Sequence, residues 1–526
     1  VLVVGAILLV VVSAPLLYAH WVDATEGGKV FMGLLSNPID GATYFSKIQL
    51  GQEGQWRTIF RHTPDATQGA YITLLYNGLG QLSRYMGVSP QIAYHAGRVL
   101  ASLLMFLAIY QFASVIWRRE RTRRVFFIIT VLGSGFGWLL LLLGLQSADA
   151  IQTPDLVIPE AFALYSAATN VQFPVAFALL ALSAGVIVVV FRPGFRSDPT
   201  IHNGGLTLIL SATGLGLVAP HGLVPFTGAV GLLMVIDWVR QRKVILYQFR
   251  WFMLLVLPAL PIGGYYIAEI RYNPEVAAWM QQNVNLAPMP WHFLAGFGLP
   301  LLLALPGIWR AIRRFEPDGD QFMLLWLVLM LVMVYFPTSA QRRFAIGMML
   351  PVAYFTTRAL MDFWLDDRAE TYRNRFLAGV YGISAIGNGF LLVLWFVASV
   401  STADPRFYLD ADYDAAFQWL NTEVEHGTVV MASESVSLWL PGEAGMRVVY
   451  GHPFETLNAD ARKAEVAAWY GAADADAAVC ERVVRQHGVA YVLVGPIERE
   501  RNGDNPACAA GLEEVRQFGD VLVYRP

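Results

Sequence analysis

The 526-residue chain is 56% hydrophobic and only 15% charged, whereas a globular domain carries roughly 25% charged residues. Its net charge is -3 and no segment gathers a basic face, which excludes a nucleic-acid partner. With 15 Trp and a mean hydropathy of +0.47, the composition is that of a chain whose surface mostly faces lipid.

The first residue is Val1, so a missing or processed N-terminus is expected. Residues 1–19 are too long for a signal-peptide core, lack a clear cleavage site, and read as the first membrane helix. Further apolar runs of spanning length lie near 91–117, 125–145, 171–191, 204–219, 222–239, 250–268, 291–309, 321–337, 344–365 and 376–400. The fold class predicted is therefore a polytopic α-helical membrane protein of about eleven spans with a C-terminal extracytoplasmic α/β domain.

Strict alternation puts most basic residues on one side. They are Arg118, Arg119, Arg121, Arg123 and Arg124; Arg192 and Arg196; Arg240, Arg242, Lys243 and Arg250; Arg310, Arg313 and Arg314; Arg368, Arg373 and Arg375. The short loops opposite hold Arg271, Arg342 and Arg343. The positive-inside rule then places the N-terminus in the cytoplasm of a cell or inner membrane, and the tail outside.

Two long extracytoplasmic segments are expected. The first loop, 21–89, is polar and aromatic and reads as helices lying along the interface, grouped with the spans in a domain 1–401. The tail, 402–526, alternates helical patterns at 412–425, 459–470 and 475–487 with strand-like runs at 428–432, 447–450, 491–495 and 521–524. It reads as a small α/β domain. Both cysteines, Cys480 and Cys508, lie in it. They read either as a disulfide formed in an oxidising compartment or as two separate buried thiols. No glycine-rich phosphate loop follows a strand, so a nucleotide site is unsupported.

The spans are nearly free of charge, Arg98, Asp237 and Arg358 excepted. That scarcity argues against an ion-coupled transporter and moves attention to the first loop. There Asp40 follows Asn37-Pro38, with Tyr44, Lys47, Gly51, Gly54 and Trp56 beyond. An acidic first loop with Asp-x-x-x-Tyr and Gly-x-x-Gly-x-Trp, many spans with an α/β tail, and Arg342-Arg343 after Tyr335-Phe336-Pro337 together resemble the glycosyltransferase C superfamily. The likeness is to its protein mannosyltransferase and aminoarabinose transferase types. It is similar also to bacterial membrane proteins that share the same loop and tail.

The resemblance implies an inverting transferase that moves a sugar from a polyprenyl phosphate to an extracytoplasmic glycan, lipid or protein acceptor. Asp40 would be the catalytic base, and Arg342, Arg343 and Lys47 would hold the donor phosphate. Tyr44, Asp65, Arg98 and His221 are candidates for the substrate cavity, Asp65 alternatively as a helix N-cap. Gly41 stands where the superfamily often has a second acid, so no cofactor is implied with certainty, and a divalent metal is compatible but unsupported. His62, His95, His221 and His292 lack the spacing of a metal site. A lipid-linked glycan flippase and a non-catalytic scaffold with a partner-binding tail are the alternative readings.

Overall fold

The computed structural model describes residues 1–147, 150–192, 203–316, 319–471, 477–500 and 506–526. Arg196 and the beginning of the helix predicted at 475–487 lie outside the described residues.

In chain order, helix α1 (Leu2–Glu26) runs into strand β1 (Lys29–Phe31). Helices α2 (Pro38–Gln52) and α3 (Leu74–Met86) occupy the first loop. A long series of apolar helices ends in α4 (Glu370–Ser399), which leads to strand β2 (Tyr408–Asp410). The tail then follows as α5 (Ala411–Glu423), β3 (Val429–Met431), β4 (Arg447–Val448), α6 (Ala459–Gly471), α7 (Ala477–His487), β5 (Tyr491–Val494), β6 (Glu513–Phe518) and β7 (Val521–Arg525).

Two compact units result. The first comprises Val1–Ser13, Gly97–Ile267 and Val284–Leu394. Among the described residues, seven helices are long and apolar enough to cross a membrane, or eight if the pair Leu246–Val256 and Leu260–Tyr272, bent by 44°, is one span. Gly204–Val218 and Asp320–Val334 are shorter apolar helices, and the run at 291–309 becomes Pro290–Ala295 followed by Gly298–Arg314. Every predicted span thus has a helical counterpart, although length and composition alone do not make eleven of them spans.

Much of this apolar surface points outward, as Val3, Val10, Leu210, Ile267 and Val393 do. In water such exposure would drive aggregation; in a bilayer it is the solvated face. The few intramembrane charges are partnered. Arg358 lies 3.2 Å from Asp320, which also accepts from Arg310 at 3.1 Å, and Asp237 accepts from Gln248 at 2.8 Å.

The second unit gathers Ala14–Ala96, Ala268–Asn283 and Trp395–Pro526. The first loop, grouped by sequence with the domain 1–401, therefore folds with the tail instead. Backbone pairing explains why. β1 pairs antiparallel with β2, Lys29 opposite Asp410 and Phe31 opposite Tyr408, and the Val448 amide donates to the Arg61 carbonyl at 3.0 Å. Each of these bonds satisfies backbone groups that an isolated loop would leave to water.

The glycines of the loop are explained by packing. A methyl group on Gly51 would lie 2.2 Å from the Asn77 carbonyl oxygen, and one on Gly80 2.1 Å from that of Ile48. So α2 and α3 touch backbone to backbone.

The tail sheet has the order β4-β3-β5-β7-β6. β3 is parallel to both β4 and β5, while β7 is antiparallel to β5 and β6. Parallel pairing of β3 with β5 needs a crossover, which α6 and α7 supply, burying Trp469, Tyr470 and Val483 against Val429, Met431, Val492 and Val494. β1, β2 and β6 were not legible as strands; β6 alternates charged residues on an edge and shows no apolar period. Cys480 of α7 is joined to Cys508 by a disulfide, with the Cα atoms 5.3 Å apart.

Candidate functional site

The site in the second unit starts from turn chemistry. Asn37 adopts the left-handed conformation (φ 52°) that asparagine tolerates, and Pro38 presets the first helical φ of α2. Asp40 therefore falls in the first helical turn, where the helix dipole favours a carboxylate. The Asn37 amide nitrogen donates to its Oδ2 at 2.8 Å, and the side chain stays 37% exposed. The carboxylate is fixed and still reachable.

One turn on, the Thr43 hydroxyl donates to the Asp40 carbonyl at 2.8 Å. Lys47 Nζ donates to Thr43 Oγ1 at 3.0 Å and to the carboxylate of Glu455. Both members of this ion pair are buried. Lys47, expected on a donor phosphate, thus has its charge matched within the protein.

The loop after β4 carries the remaining partners. His452 Nδ1 accepts the amide hydrogens of Phe454 and Glu455, each at 3.1 Å. The ring proton must therefore sit on Nε2, which faces Asp40 Oδ1 at 3.6 Å. Gln282 pins this loop by donating to the Phe454 and Thr456 carbonyls at 3.1 and 2.9 Å. His62, fully buried, lies with Nε2 3.1 Å from the Leu438 carbonyl and Nδ1 3.5 Å from Glu455 Oε2.

Burial pushes the Glu455 carboxyl up, but Lys47, His62 and His452 outweigh it and hold it below the ordinary carboxylate range. Burial lowers the His62 imidazole against the pull of Glu455.

The other expected site residues are distributed as follows. Tyr44 stacks on Tyr76 with ring centroids 4.1 Å apart, and Lys47 lies 5.3 Å from its ring. Asp65 accepts from Thr63 Oγ1 at 2.8 Å and lies 3.8 Å from Arg462. No helix begins there, so the N-cap reading is corrected.

In the first unit Arg342 and Arg343 are half-buried in a tight 3-10 turn, Gln341–Ala345. The Arg342 amide donates to the Asn285 carbonyl at 3.1 Å. Burial pushes the Tyr165 hydroxyl up, with Glu160 adding to the shift and Arg342 opposing it, so these groups share one polar neighbourhood. His221 meets Phe344 edge-on at 5.8 Å. Arg98 is buried and donates to the Ala167 carbonyl at 2.5 Å and Ser13 Oγ at 3.3 Å, tying helices together.

Among the described residues no group of three or more His, Cys, Asp or Glu could hold a metal ion.

His452 and Glu455 escaped the sequence reading. They stand some 400 residues beyond Asp40 and Lys47, and their only local signal is His452-Pro453-Phe454-Glu455, a polar turn directly after a buried strand.

Residues 394–525 match the family of unknown function DUF6541. No curated protein matches the chain. Among solved structures, ArnT of Cupriavidus metallidurans in the apo state is 12% identical, with a TM-score of 0.56 over 99% of this chain and 96% of that one. It has also been solved bound to undecaprenyl phosphate. The Archaeoglobus fulgidus oligosaccharyltransferase in the apo form is 13% identical, with a TM-score of 0.53 over 95% of this chain and 69% of that one. The arabinofuranosyltransferase AftD from Mycobacteria is 14% identical, with a TM-score of 0.50 over 98% of this chain and 39% of its own. Many apolar helices of spanning length and a C-terminal sheet domain make up the fold that this chain shares with these solved structures.

Proposed function

We propose that the chain transfers a sugar from a polyprenyl phosphate to an acceptor outside the cytoplasm. The N-terminus would be cytoplasmic and the second unit extracytoplasmic, in keeping with the basic residues that follow alternate spans. The observation that carries the reading is Asp40: a fixed, partly exposed carboxylate opening α2 in a glycosyltransferase C fold.

In this reading Asp40 takes the proton of the acceptor nucleophile as that nucleophile attacks the anomeric carbon. The bond from that carbon to the phosphate oxygen breaks, and its electron pair leaves with the polyprenyl phosphate. Arg342 and Arg343 are assigned to the departing phosphate, whose growing charge a guanidinium can meet with two parallel hydrogen bonds. Lys47 is reassigned from the phosphate to orienting the helix that bears Asp40, because Glu455 matches its charge.

The test uses the full-length protein in nanodiscs with synthetic undecaprenyl phosphates carrying a hexose, a pentofuranose or an aminoarabinose. Release of undecaprenyl phosphate from one of them is expected, falling about 100-fold or more in Asp40→Asn. Arg342→Ala and Arg343→Ala are expected to raise KM for the donor. Unaltered release by Asp40→Asn, or no binding of undecaprenyl phosphate by native mass spectrometry, would overturn the proposal.

A further inference from the structure

A second concavity of the same unit shares no residue with the network around Asp40. It encloses about 530 Å³, within the roughly 300–1,000 Å³ of small-molecule sites. It is built where the end of α2 and the segment after it meet the N-terminal ends of β3 and β4.

Its chemistry centres on Arg447, the first residue of β4. Nε donates to the Gly427 carbonyl at 2.5 Å and Nη1 to that of Pro64 at 2.9 Å. Gly427 takes a left-handed conformation (φ 84°), available to glycine without strain, which sets that carbonyl in place. Two carbonyls thus fix the plane of the guanidinium. Both of these partners are neutral carbonyls, and among the described residues no carboxylate lies within ion-pair distance of the guanidinium.

Arg61, on the same wall, is buried but matched: Glu53 receives it through two parallel bonds, Nη1–Oε1 at 2.7 Å and Nη2–Oε2 at 2.5 Å. The same Glu53 oxygen also takes His426 Nδ1 at 2.8 Å. Burial and then Arg61 hold the Arg447 guanidinium below its ordinary range, with Asp65 pulling the other way. The wall therefore places two guanidinium groups in each other's field; Glu53 is committed to Arg61, and Asp65, the carboxylate that acts on Arg447, lies 3.8 Å from Arg462. The remaining wall carboxylate, Glu425, is exposed.

A half-buried guanidinium held in place by neutral carbonyls keeps N–H groups that an oxyanion can accept from. The rest of the wall sets the donors and acceptors of Gln55, Thr67, Thr428 and His426 among Leu50, Ile59 and Ala66, and holds no Phe, Tyr or Trp. That lining suits hydroxyl groups, each both donor and acceptor, better than an apolar ligand.

We propose that this pocket binds an acidic saccharide, its carboxylate or phosphate on Arg447 and its hydroxyls on the Gln55, Thr67 and Thr428 wall. The assignment does not depend on the chain being a transferase.

The test is titration calorimetry on the full-length protein in nanodiscs, without any donor lipid. The probes are glucuronate, glucose 6-phosphate, glucose and inorganic phosphate. Glucuronate or glucose 6-phosphate is expected to bind at least tenfold more tightly than glucose and than inorganic phosphate. Arg447→Gln is expected to weaken binding at least tenfold. Gln55→Trp, which fills the pocket from an exposed position and leaves the Arg447 tethers in place, is expected to do the same even if Arg447→Gln fails to fold. Failure of both acids to bind, equal binding of inorganic phosphate, or wild-type affinity in Gln55→Trp would each overturn it.

Discussion

Nε2 of His452 faces Oδ1 of Asp40 across 3.6 Å, and the amides that donate to Nδ1 leave the imidazole no alternative tautomer. The tail thus brings an N–H donor up to the carboxylate that the first loop provides. On the proposed function, His452→Ala should slow sugar transfer by about tenfold, equivalent to about 1.4 kcal/mol of lost positioning, with little change in donor KM. His452→Gln, whose amide nitrogen reaches the place of Nε2, should recover part of the rate. Equal kcat in all three proteins would remove His452 from the mechanism.

The Lys47–Glu455 pair makes a second prediction. Breaking one side of a buried pair leaves an uncompensated charge and costs about 3–5 kcal/mol, whereas replacing both sides is far milder. Lys47→Met and Glu455→Gln should each lower the apparent Tm of the detergent-solubilised protein sharply, and Lys47→Met/Glu455→Leu should regain most of it. Additive losses in the double variant would show that the two charges act independently.

Acid should weaken the second unit through the same residues. Glu455 is held below its ordinary range, so the stability it contributes is present above about pH 4.5, the unfolded value, and is lost as pH falls. His62 is also lowered, so below about pH 6.5 the unfolded chain takes up a proton that the folded one refuses. Both act in one direction, and the apparent Tm should fall as pH drops from 7 to 4. His62→Asn should flatten the upper part of that fall.

Asp155 in the first unit works in the opposite sense. Burial raises it to about 7 although the Gly137 amide donates to it at 3.0 Å. The folded state keeps a proton that the unfolded chain releases near pH 4, so stability drops as pH rises from about 4 to 7 and is level above. Asp155→Asn, which stays neutral, should lose less between pH 5 and pH 8 than the wild type. Parallel pH profiles would refute the assignment.

The Cys480–Cys508 disulfide closes a loop with a sequence separation of 28, for which the chain-entropy estimate is roughly 3–4 kcal/mol. Cys480→Ser/Cys508→Ser should lower the tail's unfolding midpoint in guanidinium. A reductant should do the same to the wild type and leave the double variant unchanged.

How far the sequence carried the reading follows from the range of the forces involved. Apolar runs are contiguous, so each helix of spanning length among the described residues could be marked out, and short apolar runs between polar stretches exposed β3, β4, β5 and β7. Asp40 stood out because turn chemistry at Asn37-Pro38 is local. The partners of that carboxylate are set by long-range pairing of the first loop with the tail, and nothing near Lys47 announces Glu455. β1 and β2, three residues each, are strands only because they find one another. Asp65 shows the converse: its neighbours look like a cap, but no helix follows, and the side chain goes to Thr63 and Arg462.

The small β1–β2 ladder fixes the parity of the membrane crossings. β1 directly follows α1 and β2 directly follows α4, and the Tyr408 hydroxyl lies 3.4 Å from the Ala19 carbonyl and 2.6 Å from that of Ser399, near the ends of those two helices. The first and last apolar helices must therefore emerge on the same face of the bilayer. A chain that crosses once and later returns to that face from its final crossing has crossed an odd number of times. Seven, nine or eleven crossings satisfy this and eight does not, so the bent pair Leu246–Val256 and Leu260–Tyr272 is either no crossing or one joined by another of the shorter helices.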